Sequence, residues 1–75
     1  MKYEKFGKFL KSKIALKMSI GEFERRIGKS HTTVWQWTSG QSLPSYKEAI
    51  RIEILLGIRK FELLNEIYEV YYKED

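Results

Sequence analysis

Three segments that each begin with a serine and end with a glycine constrain the fold of this chain more than any other feature. The pairs are Ser19 and Gly28, Ser30 and Gly40, and Ser45 and Gly57. A serine oxygen accepts a hydrogen bond from a backbone N–H in the first turn of a helix. Glycine adopts the left-handed conformation in which many helices end. The pattern therefore predicts three short helices, over about 20–27, 30–39 and 46–56.

Two of these serines are followed three residues later by a glutamate, Glu22 and Glu48. At this spacing the serine oxygen accepts from the glutamate N–H, while the carboxylate reaches back to the N–H of the serine. We therefore expect a capping box at the start of the first and third short helices.

Longer helical patterns flank the three short segments. Apolar residues recur at helical spacing over about 3–18 and again over about 60–73. No alternating run is long enough to predict a strand. The predicted fold is all-α, with five helices in a compact domain that takes in residues 1–75.

The apolar positions of these helices define the expected core. They are Phe6, Phe9, Leu10, Ile14 and Leu16; Phe23 and Ile27; Thr33, Val34 and Trp37; Tyr46, Ala49, Ile50, Ile52, Leu55 and Leu56; and Phe61, Leu64, Ile67, Tyr68 and Tyr71. A helix turns a residue about 160° away from the one two positions on. Because Trp37 is expected in the core, Trp35 is expected on the exposed side.

Charge is distributed unevenly along the chain. The net charge is +4, and lysines are concentrated in the first helical segment: Lys2, Lys5, Lys8, Lys11, Lys13 and Lys17. Residues 61–75 are mostly acidic among their charged positions. A basic front and an acidic tail favour a polyanionic partner, although solubilising surface lysines explain the charge equally well.

Several classes of protein do not fit this sequence. There is no cysteine, and the lone histidine, His31, has no second ligand nearby, so we expect no metal site. No apolar run is long enough to span a membrane. Ser30 and His31 are adjacent rather than convergent, and no cofactor motif is present, so an enzyme is not expected. We expect a cytoplasmic protein (in the host cell if viral) without cofactor or small-molecule ligand.

Residues 19–45, SIGEFERRIGKSHTTVWQWTSGQSLPS, carry a resemblance to a known family. The serine caps, the turn glycine and the apolar positions resemble the lambda-repressor-like, Cro/CI-type (XRE) helix-turn-helix domain, and particularly short Cro-like phage regulators. The resemblance covers about residues 5–60. It implies a helix-turn-helix over 19–40 whose second helix enters the major groove of double-stranded DNA.

Two positions depart from that family. It usually has glutamine where this chain has Ile20, so a polar contact to DNA is absent. It usually has alanine where this chain has Glu24, because the two helices cross closely there. Glu24 is expected to bend outward, or the crossing to loosen.

The resemblance also implies which residues face DNA. Those at positions that face base edges are His31, Thr32, Trp35 and Gln36. Gln36 suits adenine, since its amide can pair with N6 and N7, and His31 can donate to guanine. The candidates for phosphate contact are Lys13, Lys17, Ser30, Ser39, Gln41 and Ser42. On the last helix, Tyr68, Tyr71 and Tyr72 form an expected homodimer interface, because operators are usually bound by two-fold dimers. The same helix can also pack back on the first helix and complete the core, and both roles can coexist.

The sequence is therefore compatible with two functions. The first is a sequence-specific transcription regulator, expected to be a dimeric repressor of phage, plasmid or microbial type. The second is a protein-interaction module on the same fold, such as an antitoxin or an anti-repressor. In the second case Trp35 would be an exposed anchor for a protein, since tryptophan is enriched at interface hot spots.

Overall fold

The structure, a computed structural model, describes residues 2–58 and Leu63. Four α-helices and no strand are found in this part of the chain: α1 Glu4–Lys17, α2 Ile20–Ile27, α3 His31–Ser39 and α4 Tyr46–Leu56. The predicted all-α class is confirmed. The predicted fifth helix, over 60–73, lies outside the described residues except for Leu63, and so does the expected interface of Tyr68, Tyr71 and Tyr72.

The predicted helix ends are confirmed at both termini of α2, α3 and α4. Ser19, Ser30 and Ser45 each accept a hydrogen bond of 3.2 Å from the N–H three residues on. The three closing glycines, Gly28, Gly40 and Gly57, all have a positive φ. Short helices of this length are marginal on their own, so these caps define where each one begins and ends.

A single apolar core joins all four helices. Its fully buried side chains include Phe6 and Leu10 of α1, Phe23 of α2, Val34 of α3 and Ile52 of α4. Leu63 is also buried against this core. Burial of apolar area at about 25 cal/mol per Å² is the main favourable contribution to folding.

Two predicted core positions are wrong. Leu16 is exposed because it lies two residues, and hence about 160° of helical rotation, from buried Ile14. Tyr46, the first residue of α4, is 67% exposed because the buried face of that helix begins one turn later, at Ala49.

Gly7 allows α1 to pack closely against the end of α3. A Cβ at this position would lie 2.6 Å from the carbonyl oxygen of Thr38 and 2.8 Å from the nitrogen of Gly40. The start of α1 is also tied to the end of α3 by a 2.8 Å hydrogen bond from the Tyr3 N–H to the Gly40 carbonyl. The fold thus places α1 directly behind α3.

One buried charge was not predicted from the sequence. Glu53 on α4 is only 8% exposed. Its carboxylate accepts a 2.9 Å hydrogen bond from the N–H of Leu63. A buried carboxylate needs such partners, and this one links α4 to the chain that follows it. None of the helices in the described part is long and apolar enough to cross a membrane.

Candidate nucleic-acid interface

Helices α2 and α3 are joined by a tight turn of three residues. Gly28 has φ +75°, and its N–H donates to the Glu24 carbonyl at 3.0 Å. The N–H of Lys29 donates to the same carbonyl at 3.2 Å. Ser30 then adopts an extended conformation and caps α3. Two short helices joined in this way form the helix-turn-helix arrangement.

Helix α4 holds this turn from outside. The Arg51 guanidinium donates to the Ile27 carbonyl at 3.0 Å. The Lys29 ammonium lies 2.6 Å from a carboxylate oxygen of Glu48. The other Glu48 oxygen accepts from the Ser45 N–H at 2.9 Å, which completes the predicted capping box. The Lys29 hydrogen bond and the Ser45 N–H together hold the pKa of Glu48 below its ordinary value.

The two sides of α3 differ sharply. Val34 and Trp37 are buried in the core, as predicted. The four expected base-contacting residues lie together on the other side: His31, Thr32 and Trp35 are exposed and Gln36 is half-buried. Trp35 is 47% exposed. The structure therefore places an aromatic ring, an imidazole, a hydroxyl and an amide on one accessible helix face.

The expected phosphate contacts of α3 and its loop are divided between the two ends of the helix. Ser30 is exposed at its N-terminus, where its hydroxyl also donates to the Thr33 hydroxyl at 3.1 Å. Ser39, Gln41 and Ser42 lie at its C-terminus. There the backbone N–H groups of Gln41 and Ser42 donate to the Gln36 carbonyl at 2.8 and 3.2 Å. The Ser39 hydroxyl donates to the same carbonyl at 3.4 Å. Gln41 is exposed, whereas Ser42 is half-buried.

The two expected lysines of α1 have neighbours outside α3. The Lys13 ammonium is 5.4 Å from the centre of the Phe9 ring, a cation–π distance. The Lys17 ammonium extends toward the end of α4, 3.7 Å from a Cβ built on Gly57. Lys11, which was not among the residues expected from the sequence, lines a concavity together with His31, Trp35 and Thr38 of α3.

A concavity of about 440 Å³ opens where α1, α2 and α3 meet. Its lining is mostly apolar and includes two large apolar side chains that are exposed, Ile20 and Trp35. The full set is Lys11, Ile14, Ala15, Met18, Ser19, Ile20, His31, Trp35 and Thr38. The family usually has glutamine at the position of Ile20. The isoleucine in this chain thus extends the apolar surface that Trp35 contributes.

The predicted capping box at Ser19 is only half formed. Ser19 accepts from the Glu22 N–H, but the Glu22 carboxylate turns to the arginines of its own helix. It bonds Arg25, and it bonds Arg26 at 2.6 Å. The hydrogen bond to Arg26 is the largest cause of the lowered pKa of Glu22. Guanidinium groups one turn away compete successfully with the backbone N–H because the pairing is charge-assisted.

Glu24 links the two helices of the helix-turn-helix. Its carboxylate lies 2.6 Å from Nδ1 of His31, the first residue of α3. The Glu24 side chain is 17% exposed and the His31 side chain 74% exposed. The carboxylate expected to bend outward or to loosen the crossing instead bridges it. His31 is therefore already engaged on one ring nitrogen.

A family model described as helix-turn-helix matches residues 11–63 of the chain. This range contains α2, α3, α4 and the second half of α1. The chain belongs to the Cro/CI-type (XRE) helix-turn-helix family. It is thus a DNA-binding transcription regulator of that type, and its partner is double-stranded DNA. No match was found among curated proteins or among solved structures.

Proposed function

We propose that this protein is a sequence-specific repressor that inserts α3 into the major groove of its operator. The observation that carries the proposal is the division of α3 into two sides. Val34 and Trp37 anchor the helix in the core, so the side chains on its opposite face are fixed in position and accessible. A helix held in this way presents side chains to base edges, where each base pair has a distinct pattern of donors and acceptors.

The four side chains on this face offer different contacts. The Gln36 amide both donates and accepts, which matches N7 and N6 of adenine. The Thr32 hydroxyl can donate or accept, and its methyl can contact the methyl group of thymine. Trp35 contributes an apolar surface that Ile20 extends, and apolar side chains contact the thymine methyl group. We therefore expect an operator half-site that contains adenine and thymine.

Contacts to the phosphate backbone fix the register of α3 without specifying sequence. We propose these contacts for Lys13, Lys17, Ser30, Ser39, Gln41 and Ser42. Lys11 is added to the set, since it lines the same concavity as His31 and Trp35. The N-terminus of α3 also carries partial positive charge near Ser30, which favours a phosphate.

Repression follows from occupancy of the operator. We propose that residues 1–75 act as one domain and bind as a homodimer, with Tyr68, Tyr71 and Tyr72 at the interface. The half-site centres would then be separated by about 34 Å, one turn of DNA. The net charge of +4 supports association with a polyanion.

Selection from a pool of random duplexes tests this proposal. The expected result is enrichment of one sequence, which the protein binds at least about 10³-fold more tightly than random DNA. When placed between a promoter and a reporter gene, the selected operator should reduce expression if the protein is present. Recovery of no enriched sequence would contradict sequence-specific binding, and increased expression would contradict repression.

One observation favours the alternative function, a protein-interaction module such as an antitoxin or an anti-repressor. Trp35 and Ile20 are 47% and 41% exposed and line the same concavity. Exposed apolar side chains of this size serve as anchors for a protein partner. The salt dependence of binding separates the two functions, because phosphate contacts make affinity for DNA fall steeply with salt.

A further inference from the structure

The contact between Glu24 and His31 constrains the chemistry of the histidine that begins α3. An ionised carboxylate only accepts hydrogen bonds. The ring nitrogen 2.6 Å from it, Nδ1, must therefore be the nitrogen that carries a proton. When the ring is neutral, the second nitrogen, Nε2, then has a lone pair and accepts. The carboxylate thus determines the tautomer.

The two side chains differ in their exposure to solvent. The Glu24 side chain is largely buried, whereas most of the His31 side chain is open to solvent. His31 is the first residue of α3, beside Thr32 on the face assigned to DNA. With Nδ1 held by Glu24, Nε2 is the nitrogen that remains for a contact with a base.

We propose that Glu24 is a positioning residue for base recognition, which holds His31 so that Nε2 faces the operator. The inference rests on the proposed function. A neutral His31 accepts through Nε2 and therefore selects the exocyclic amino group of adenine or cytosine. Under this proposal Nε2 of His31 accepts at the base, whereas the sequence led us to expect that His31 donates to guanine.

The charged groups around the ring come from two helices. Glu24 approaches it from α2, and Lys11 of α1 lines the same concavity. Within α3, whose sequence is HTTVWQWTS, His31 is the only titratable side chain. A base preference at one operator position that is lost in both His31→Ala and Glu24→Ala therefore reports on this contact.

The experiment is a competition between operator duplexes that differ at a single base pair. The position contacted by His31 is first identified as the one whose preference disappears in His31→Ala. For the parent protein at pH 8 we expect a preference of about tenfold for adenine or cytosine at that position. In Glu24→Ala we expect this preference to be lost, while the preference that depends on Gln36 remains.

Guanine preference in the parent would overturn the proposal, and so would an unchanged preference at this position in Glu24→Ala. If Glu24→Ala does not fold, ¹⁵N NMR of the parent at pH 8 provides the test: a proton on Nδ1 is expected, and a proton on Nε2 alone would overturn it. Failure to enrich any operator contradicts the proposed function, whereas an enriched operator whose preference at this position survives in Glu24→Ala contradicts only this inference.

Discussion

Gln36 has a side chain well suited to recognise a specific base, because its amide both donates and accepts hydrogen bonds. Replacement by alanine removes the donor and acceptor that pair with adenine. We expect Gln36→Ala to lose about 1–3 kcal/mol of discrimination at one operator base pair and to leave preferences at the other positions intact. Affinities for the operator and its single-base variants, measured by fluorescence anisotropy, provide the check.

Gln41→Ala is the matched control, because Gln41 is the same residue type placed at the end of α3 for phosphate contact. It should weaken binding to all duplexes by a similar factor. If Gln36→Ala also weakened every duplex equally, Gln36 would contact the backbone rather than a base.

Trp35 allows DNA binding to be observed directly, because the two tryptophans differ in exposure. Trp37 is 3% exposed and Trp35 is 47% exposed. Addition of operator DNA should change the tryptophan fluorescence of the parent protein, because the DNA would cover the exposed indole of Trp35. In Trp35→Phe, which retains Trp37, the change should be small. An equal change in both proteins would show that DNA does not cover Trp35.

At the scale of helices, Gly7 and Gly21 form a natural comparison, since both are glycines within helices. A Cβ on Gly7 would meet the backbone of Thr38 and Gly40, whereas a Cβ on Gly21 meets nothing within 4 Å. We expect Gly7→Ala to lower the free energy of unfolding by about 1–3 kcal/mol through overpacking. Gly21→Ala should raise it by up to about 1 kcal/mol, because alanine favours the helix.

Urea denaturation of the two variants checks this prediction. Equal stabilisation by both substitutions would mean that α1 does not approach α3 as closely as described. An equal loss of unfolding free energy in both variants would indicate that Gly21 also lies in a close contact.

The contact of α4 with the turn predicts a pH dependence of stability. The pKa of Glu48 is lowered in the folded protein by Lys29 and the Ser45 N–H. This carboxylate therefore stabilises the fold fully above the unfolded pKa of about 4.3, and the contribution is lost as pH falls through the lower folded value. Glu48→Gln should be less stable than the parent by about 1 kcal/mol at pH 6.

That difference should shrink as the pH is lowered from about 5 toward 3, because the parent carboxylate becomes protonated. Thermal unfolding of both proteins across this range measures it. The variant retains Glu22, whose pKa is also lowered, so the comparison isolates Glu48. A difference that stays constant with pH would show that the Glu48 charge does not contribute.

Across the whole molecule, the features that could be predicted from sequence are those determined by neighbouring residues. The caps at Ser19, Ser30 and Ser45 depend on hydrogen bonds within one helical turn. The burial of Trp37 and the exposure of Trp35 follow from helical rotation alone once one side of the helix is assigned to the core.

The features that were missed depend on residues far apart in the chain or on competing partners. The buried Glu53 needs the N–H of Leu63, and the role of Gly7 appears only when α1 packs on the end of α3. Glu22 prefers nearby arginines to the predicted backbone N–H. In the candidate site, the exposed side of α3 was predicted correctly. The contact between His31 and Glu24 could not be predicted, because it depends on how α2 and α3 cross.

The salt dependence of binding tests the central claim, that the exposed face of α3 and the groups around it bind double-stranded DNA. The measurement is the affinity of the full chain for its selected operator and for a scrambled duplex between 50 and 200 mM salt. We predict that both affinities fall linearly on logarithmic axes, with a slope of about −0.9 per phosphate contact, while the operator stays tighter throughout. Affinity that is independent of salt, or equal for the two duplexes, would contradict the account.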